Sequence, residues 1–161
     1  RGLEGEKILR GRFEAASGVS ASTTSGAVLA GCRALGIAKV AVAAPYVGEV
    51  SIKLGEFLQE GGINVTRVRP MGLDAGIAEV PVGDVVQLGL DTDTSDADGL
   101  VISCTNLVTL EAISELEQRL GKPVVSANQA TVWHACLIAG VSWRADFGVG
   151  RLWSTEYSAA A

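Results

Sequence analysis

The segment Leu100-Val-Ile-Ser-Cys104-Thr-Asn106 runs from an apolar strand into a thiol and then into two residues able to cap a helix. That pattern puts Cys104 on a strand-to-helix turn, where backbone N–H groups and the positive end of a following helix favour thiolate over thiol. Such a thiol can accept and return a proton, and the same N–H groups can hold a carboxylate or an enediolate oxygen. The spacing equally suits a small buried hydrophobe. Tyr46 follows Pro45 at the end of another apolar run, so its hydroxyl is expected at the same sheet edge, as a donor to a carboxylate or as a packing residue. Ser126 and Asn128 close a third apolar run, either lining a cleft or capping the next helix.

Other chemistry-bearing residues fit worse. Cys32 and Cys136 lie on apolar helical faces and are expected in the core. His134, the single histidine, has no Cys or carboxylate at a metal-ligand spacing and no GxSxG elbow to serve, so it reads as structural or surface. Asp91-Thr-Asp93-Thr-Ser95 has the order of an aspartyl phosphotransferase signature. Its preceding segment, with Pro81, Asp84 and Gln87, has a helical period, and Asp96 and Asp98 extend it as a solvated loop. As a calcium loop it fails, with Asp96 at the Gly position and Ile102 in place of the bidentate Glu. Gly148-Val-Gly150 precedes no helical pattern, so no cofactor and no metal are expected.

The elements that must position these groups alternate. Helices are expected over Leu3–Ala16, from the Thr23-Thr24-Ser25 caps to Leu35, and over Val47–Gln59, Pro81–Leu90, Leu110–Leu120 and Ala130–Ala139. Strands are expected over Lys39–Ala44, Asn64–Val68, Leu100–Cys104 and Pro123–Ser126. Residues 141–161 show no clear period. The fold class is therefore α/β, a mostly parallel sheet flanked by helices, with ligand chemistry at the carboxyl edges of the strands.

Composition agrees. The 161 residues are 48% apolar and 19% charged, enough to bury a core, and 20 glycines against eight aromatic rings suit tight strand-to-helix turns. A net charge of −5 argues against nucleic acid or an anionic membrane surface as partner. The longest apolar run, Val40–Val47, is interrupted by Pro45 and is far short of the roughly 20 residues of a membrane helix. Three cysteines without a CxxC suggest neither a disulfide framework nor a zinc site, so a reducing, cytoplasmic setting is expected.

Several segments together resemble the aspartate/glutamate racemase superfamily, in the branch that holds maleate cis-trans isomerases and arylmalonate decarboxylases. They are Thr23-Thr-Ser25, Ala44-Pro-Tyr46 with Glu49-Val50, Ile102-Ser-Cys-Thr-Asn-Leu107 with Thr109-Leu-Glu-Ala-Ile113, Leu120-Gly-Lys-Pro-Val-Val-Ser126, Asn128-Gln-Ala-Thr131 and Gly150-Arg-Leu152. The resemblance implies two similar α/β lobes with the site in the cleft and no cofactor or metal. It implies that Cys104 matches the second-lobe thiol that moves a proton at the substrate α-carbon. Tyr46, the amides at Cys104 and Thr105, and Asn106 would bind a small carboxylate substrate.

On this resemblance, residues 1–18 are a remnant of the first lobe, 19–127 are a complete second lobe carrying Cys104, and 128–161 return to the first. The first-lobe Cys-Thr or Gly-Thr segment would fall just before Arg1, so the chain is expected to lack the N-terminal part. A homo-oligomer could cover some of the surface this leaves. Asp74-Ala75-Gly76 stands where maleate isomerases tend to carry a substrate-contacting asparagine, which speaks against maleate itself. Thr105-Asn106 resembles the isomerase branch, since decarboxylases tend to have Gly-Gly there. The leading expectation is a cysteine-dependent, cofactor-independent isomerase of a small dicarboxylate. A decarboxylase whose Cys104 protonates an enediolate, and a non-catalytic dicarboxylate-binding relic, stand as alternatives.

Overall fold

A computed structural model describes residues 2–144 and 149–155; residues 1, 145–148 and 156–161, including Gly148 and parts of the expected 1–18 and 128–161 segments, lie outside the described residues. Helix α1 (Gly2–Ser17) leads into α2 (Thr24–Ala34), whose first turn is closed by the Thr23 hydroxyl accepting from the Gly26 amide at 3.0 Å. Strand β1 (Lys39–Tyr46), α3 (Gly48–Glu60) and β2 (Asn64–Leu73) follow. Next come α4 (Val82–Thr92), β3 (Gly99–Ile102), α5 (Leu110–Leu120), β4 (Val124–Ser126) and α6 (Ala127–Ile138). Short 3-10 turns span Ile77–Glu79 and Arg151–Ser154.

The strands form one four-stranded sheet in the order β2-β1-β3-β4, every pair parallel. The expected α/β class with a parallel sheet is what forms. Alternation of side chains along each strand splits the core into two layers. Val40, Val42, Val101 and Val125 face α2, α3 and α6, together with Leu152 and Trp153. Ala41, Ala43, Leu100, Ile102 and Val124 face α4 and α5. Gly89 of α4 allows a close approach in that second layer, since a Cβ there would lie 2.7 Å from a Leu116 methyl.

The elements differ from expectation mainly at their ends. Strand β2 runs to Leu73, not Val68, because pairing with β1 continues to Tyr46↔Leu73. Helix α6 starts at Ala127, not Ala130: Ser126 and Gln129 form a reciprocal capping box, with the Gln129 amide donating to Ser126 Oγ at 3.2 Å. Strand β3 stops at Ile102, short of the expected Cys104, whereas α5 begins at Leu110 as expected. Cys32 is fully buried, whereas Cys136, expected in the core, is only half-buried at its margin. Among the described residues no helix is long and apolar enough to cross a membrane.

Candidate active site at the β1–β3 crevice

In chain order β1 connects outward to β2 through α3 on one face, and the chain then crosses through α4 on the other face to β3 on the opposite side of β1. The sheet therefore has its switch point between β1 and β3, and a crevice opens where their carboxyl ends part. Tyr46 ends β1 and Cys104 lies two residues beyond the end of β3. The Ser103 amide donates to the Ala43 carbonyl at 2.9 Å and carries the ladder one bond past the strand. Across β1 the register with β2 shifts between Ala44 and Tyr46, where Pro45 supplies no N–H.

Cys104 is 95% buried, its 5% relative exposure leaving little of the residue in solvent. Its φ of 98° makes it the one non-glycine residue with positive φ among the described residues. A side chain rarely adopts that backbone, and such strain collects at functional sites. The chain then turns through Thr105 and Asn106, both exposed, and reaches the α5 N-cap position only at Thr109. Thr105 and Asn106 therefore do not cap a helix. A turn amide reaches the sulfur: Asn106 N–H donates to Cys104 Sγ at 3.3 Å. Among the described residues neither the Cys104 nor the Thr105 amide donates to a protein acceptor.

Tyr46 and Cys104 meet. The tyrosine is pushed up to about 12 from an ordinary 10.0, first by burial and then by the neighbouring Cys104, whose sulfur disfavours a phenolate beside it, partly offset by Ser103. Its hydroxyl thus stays a donor throughout the neutral range. Asn128, on the first turn of α6, donates from Nδ2 to the Thr105 carbonyl at 3.1 Å and to the Leu107 carbonyl at 3.5 Å. It neither caps α6 nor stands apart from the site; Ser126 does the capping. The exposed Asp74-Ala75-Gly76 loop leaves β2 at the same edge.

The other candidates lie elsewhere. Cys32 and Cys136 belong to the opposite core layer from Cys104. His134 Nδ1 pairs with Ser22 Oγ at 2.6 Å and ties α6 to the loop before α2. Asp91 accepts from Arg69 at 3.1 Å and Asp93 pairs with Lys122 at 2.9 Å, so both acids are engaged in ion pairs. Among the described residues no three metal-ligating side chains group together.

Sequence reasoning missed Glu117. This carboxylate, 8% exposed, accepts the Val124 amide at 3.0 Å and the Arg151 amide at 3.0 and 3.1 Å. With Gln129, which donates to the Val149 carbonyl, it straps residues 149–151 alongside β4. The signal was present: Glu117 falls four residues after Ile113, on the face that α5 buries.

Against this geometry, the arylmalonate decarboxylase family matches residues 1–153. Arylmalonate decarboxylase of Bordetella bronchiseptica is 38% identical over 156 residues, covering 94% of this chain and 65% of that protein. A maleate isomerase of Geobacillus stearothermophilus is 32% identical over 115 residues, 69% of this chain and 45% of that one. A crystal structure of arylmalonate decarboxylase superposes with a TM-score of 0.88 at 38% identity, over 97% of this chain and 69% of the other. The chain thus spans less than two-thirds of the length of either curated relative.

Proposed function

The chain belongs to the arylmalonate decarboxylase family, and from that premise we propose that it acts on a small carboxylate in the β1–β3 crevice, with Cys104 moving a proton at the carbon beside the carboxylate. The observation that carries the reading is that Tyr46 and the buried, strained Cys104 stand at the carboxyl ends of β1 and β3, on the two sides of the switch point. A carboxylate held by the Tyr46 hydroxyl and the amides of Cys104 and Thr105 would lie against the thiol. Those donors suit the oxygens of an enediolate even better, because its charge is larger there than in the bound acid.

The first reaction proposed is decarboxylation of a malonate-type dicarboxylate. One C–C bond breaks, carbon dioxide leaves, and the electron pair stays as an enediolate. The Cys104 thiol gives its proton to the α-carbon, and water returns one to the sulfur. Identity to a decarboxylase over nearly the whole chain puts this ahead of the cis-trans isomerisation expected from sequence. Thr105-Asn106 after the cysteine favours isomerisation of a butenedioate as the second reading.

The lobe division is part of the same proposal. Ile8, Leu9 and Phe13 of α1, each about half exposed, support setting residues 1–18 apart from the lobe of residues 19–127. The packing of α6 against the α2 layer ties at least the start of 128–161 to that lobe.

The test is incubation with phenylmalonate, and separately with maleate, in deuterium oxide, followed by proton NMR. The expected result is phenylacetate carrying deuterium at its α-carbon, abolished by Cys104→Ser. Turnover that persists undiminished in Cys104→Ser would overturn the reading.

A further inference from the structure

Among the described residues, Asn128 is the one side chain from outside the Cys104 turn that donates to two of its carbonyls, and it does so from the neighbouring strand-to-helix junction. Two acceptors on one nitrogen require the NH2 end there and fix the orientation of the amide. In a trans peptide the C=O and N–H point in opposite directions. The Thr105 carbonyl points to Asn128 Nδ2 at 3.1 Å, and the N–H of the same peptide unit, which belongs to Asn106, points to Cys104 Sγ at 3.3 Å.

We propose that Asn128 is a positioning residue for the reactive thiol: it fixes the Thr105–Asn106 peptide so that the Asn106 amide stays on the Cys104 sulfur. Resting on the reading that Cys104 transfers the proton, this adds what holds the sulfur in a usable state. A hydrogen bond onto the carbonyl polarises the peptide and strengthens its N–H as a donor. That N–H favours the thiolate that remains after the proton is given away. The second bond, to the Leu107 carbonyl, resists rotation of the turn about the strained Cys104 backbone, whose φ is 98°.

The test replaces Asn128 by Asp, which sets an acceptor against both carbonyls. In a Cys136→Ala background, iodoacetamide alkylation of Cys104 is expected to slow about fivefold at pH 8, the effect of losing roughly one hydrogen bond, with the pH–rate profile displaced upward. A rate within twofold of the parent in a folded Asn128→Asp chain overturns the proposal. The unmodified chain gives an independent readout by nitrogen-15 NMR, in case the variant does not fold. The Asn106 backbone amide and the Asn128 side-chain amide should shift together as Cys104 titrates, and neither should in Cys104→Ser. An Asn128 resonance that ignores that titration overturns the proposal as well. Neither readout uses turnover, so Asn128 can fail while the proton-transfer reading stands, and turnover surviving Cys104→Ser would remove that reading without touching these two results.

Discussion

Removing the Glu117 carboxylate tests whether the strap of residues 149–151 is held by this one side chain. Glu117→Ala deprives two backbone donors, Val124 N–H at 3.0 Å and Arg151 N–H at 3.0 Å, of their acceptor. A hydrogen bond to a charged group contributes about 1.5–3 kcal/mol when its partner is buried. The Val124 amide is buried and counts near the middle of that range, while Arg151 is partly exposed and counts less. The sum is about 3 kcal/mol, or roughly 6–12 °C in Tm for a domain of this size. Glu117→Gln keeps one acceptor oxygen and should lose about half as much. Thermal and urea unfolding by circular dichroism give the loss, and hydrogen exchange at the Val124 and Arg151 amides locates it. A loss below about 1 kcal/mol, with both amides as protected as before, would refute the argument.

Other outcomes follow from the same packing and charges. Cys32, pushed up to about 12 from 9.0 by burial despite an opposing backbone hydrogen bond, should escape alkylation in the native protein at pH 8 while Cys104 reacts. Mass spectrometry of the labelled peptides decides it. Tyr46 ionises near 12 when folded and near an ordinary 10 when unfolded, so above pH 10 the unfolded chain loses its proton first. Folding stability should therefore fall as pH rises from about 10 to about 12. A late phenolate absorbance should vanish in Tyr46→Phe. His134 is lowered from 6.5, first by burial and then by Arg10, against the pull of Glu6. Its contribution to stability is complete above 6.5 and declines as pH falls below it, as urea titrations at several pH values would read. Gly89→Val should cost about 1–3 kcal/mol by overpacking α4 on α5, because even a Cβ would lie 2.7 Å from Leu116, with urea midpoints as the measure.

The sheet was legible because β1, β3 and β4 are continuous apolar runs and helices end at glycines such as Gly121, in the left-handed conformation. What blurred was set by partners distant in sequence. Strand β2 is prolonged by its register with β1, which the polar alternation of Arg67 and Arg69 hid. The start of α6 depends on Gln129 answering Ser126, a reciprocal pair that shows only when the two residues are read together.

At the site, Cys104 and Tyr46 could be placed on one edge from strand ends alone. The donors around the thiol could not. Thr105 and Asn106 look like helix caps by type, yet the turn between β3 and α5 is long enough for the Asn106 amide to fold back onto sulfur. Asn128 looks like a cap by position, and only the three-dimensional closeness of two strand-to-helix junctions makes it a partner of Thr105.

The most direct test of a carboxylate crevice around a proton-moving thiol is alkylation of Cys104 with and without phenylmalonate, in a chain whose Cys32 and Cys136 are alanine. Saturable protection that disappears in Tyr46→Phe is the predicted result. Equal alkylation at every phenylmalonate concentration, in a folded protein, would contradict it.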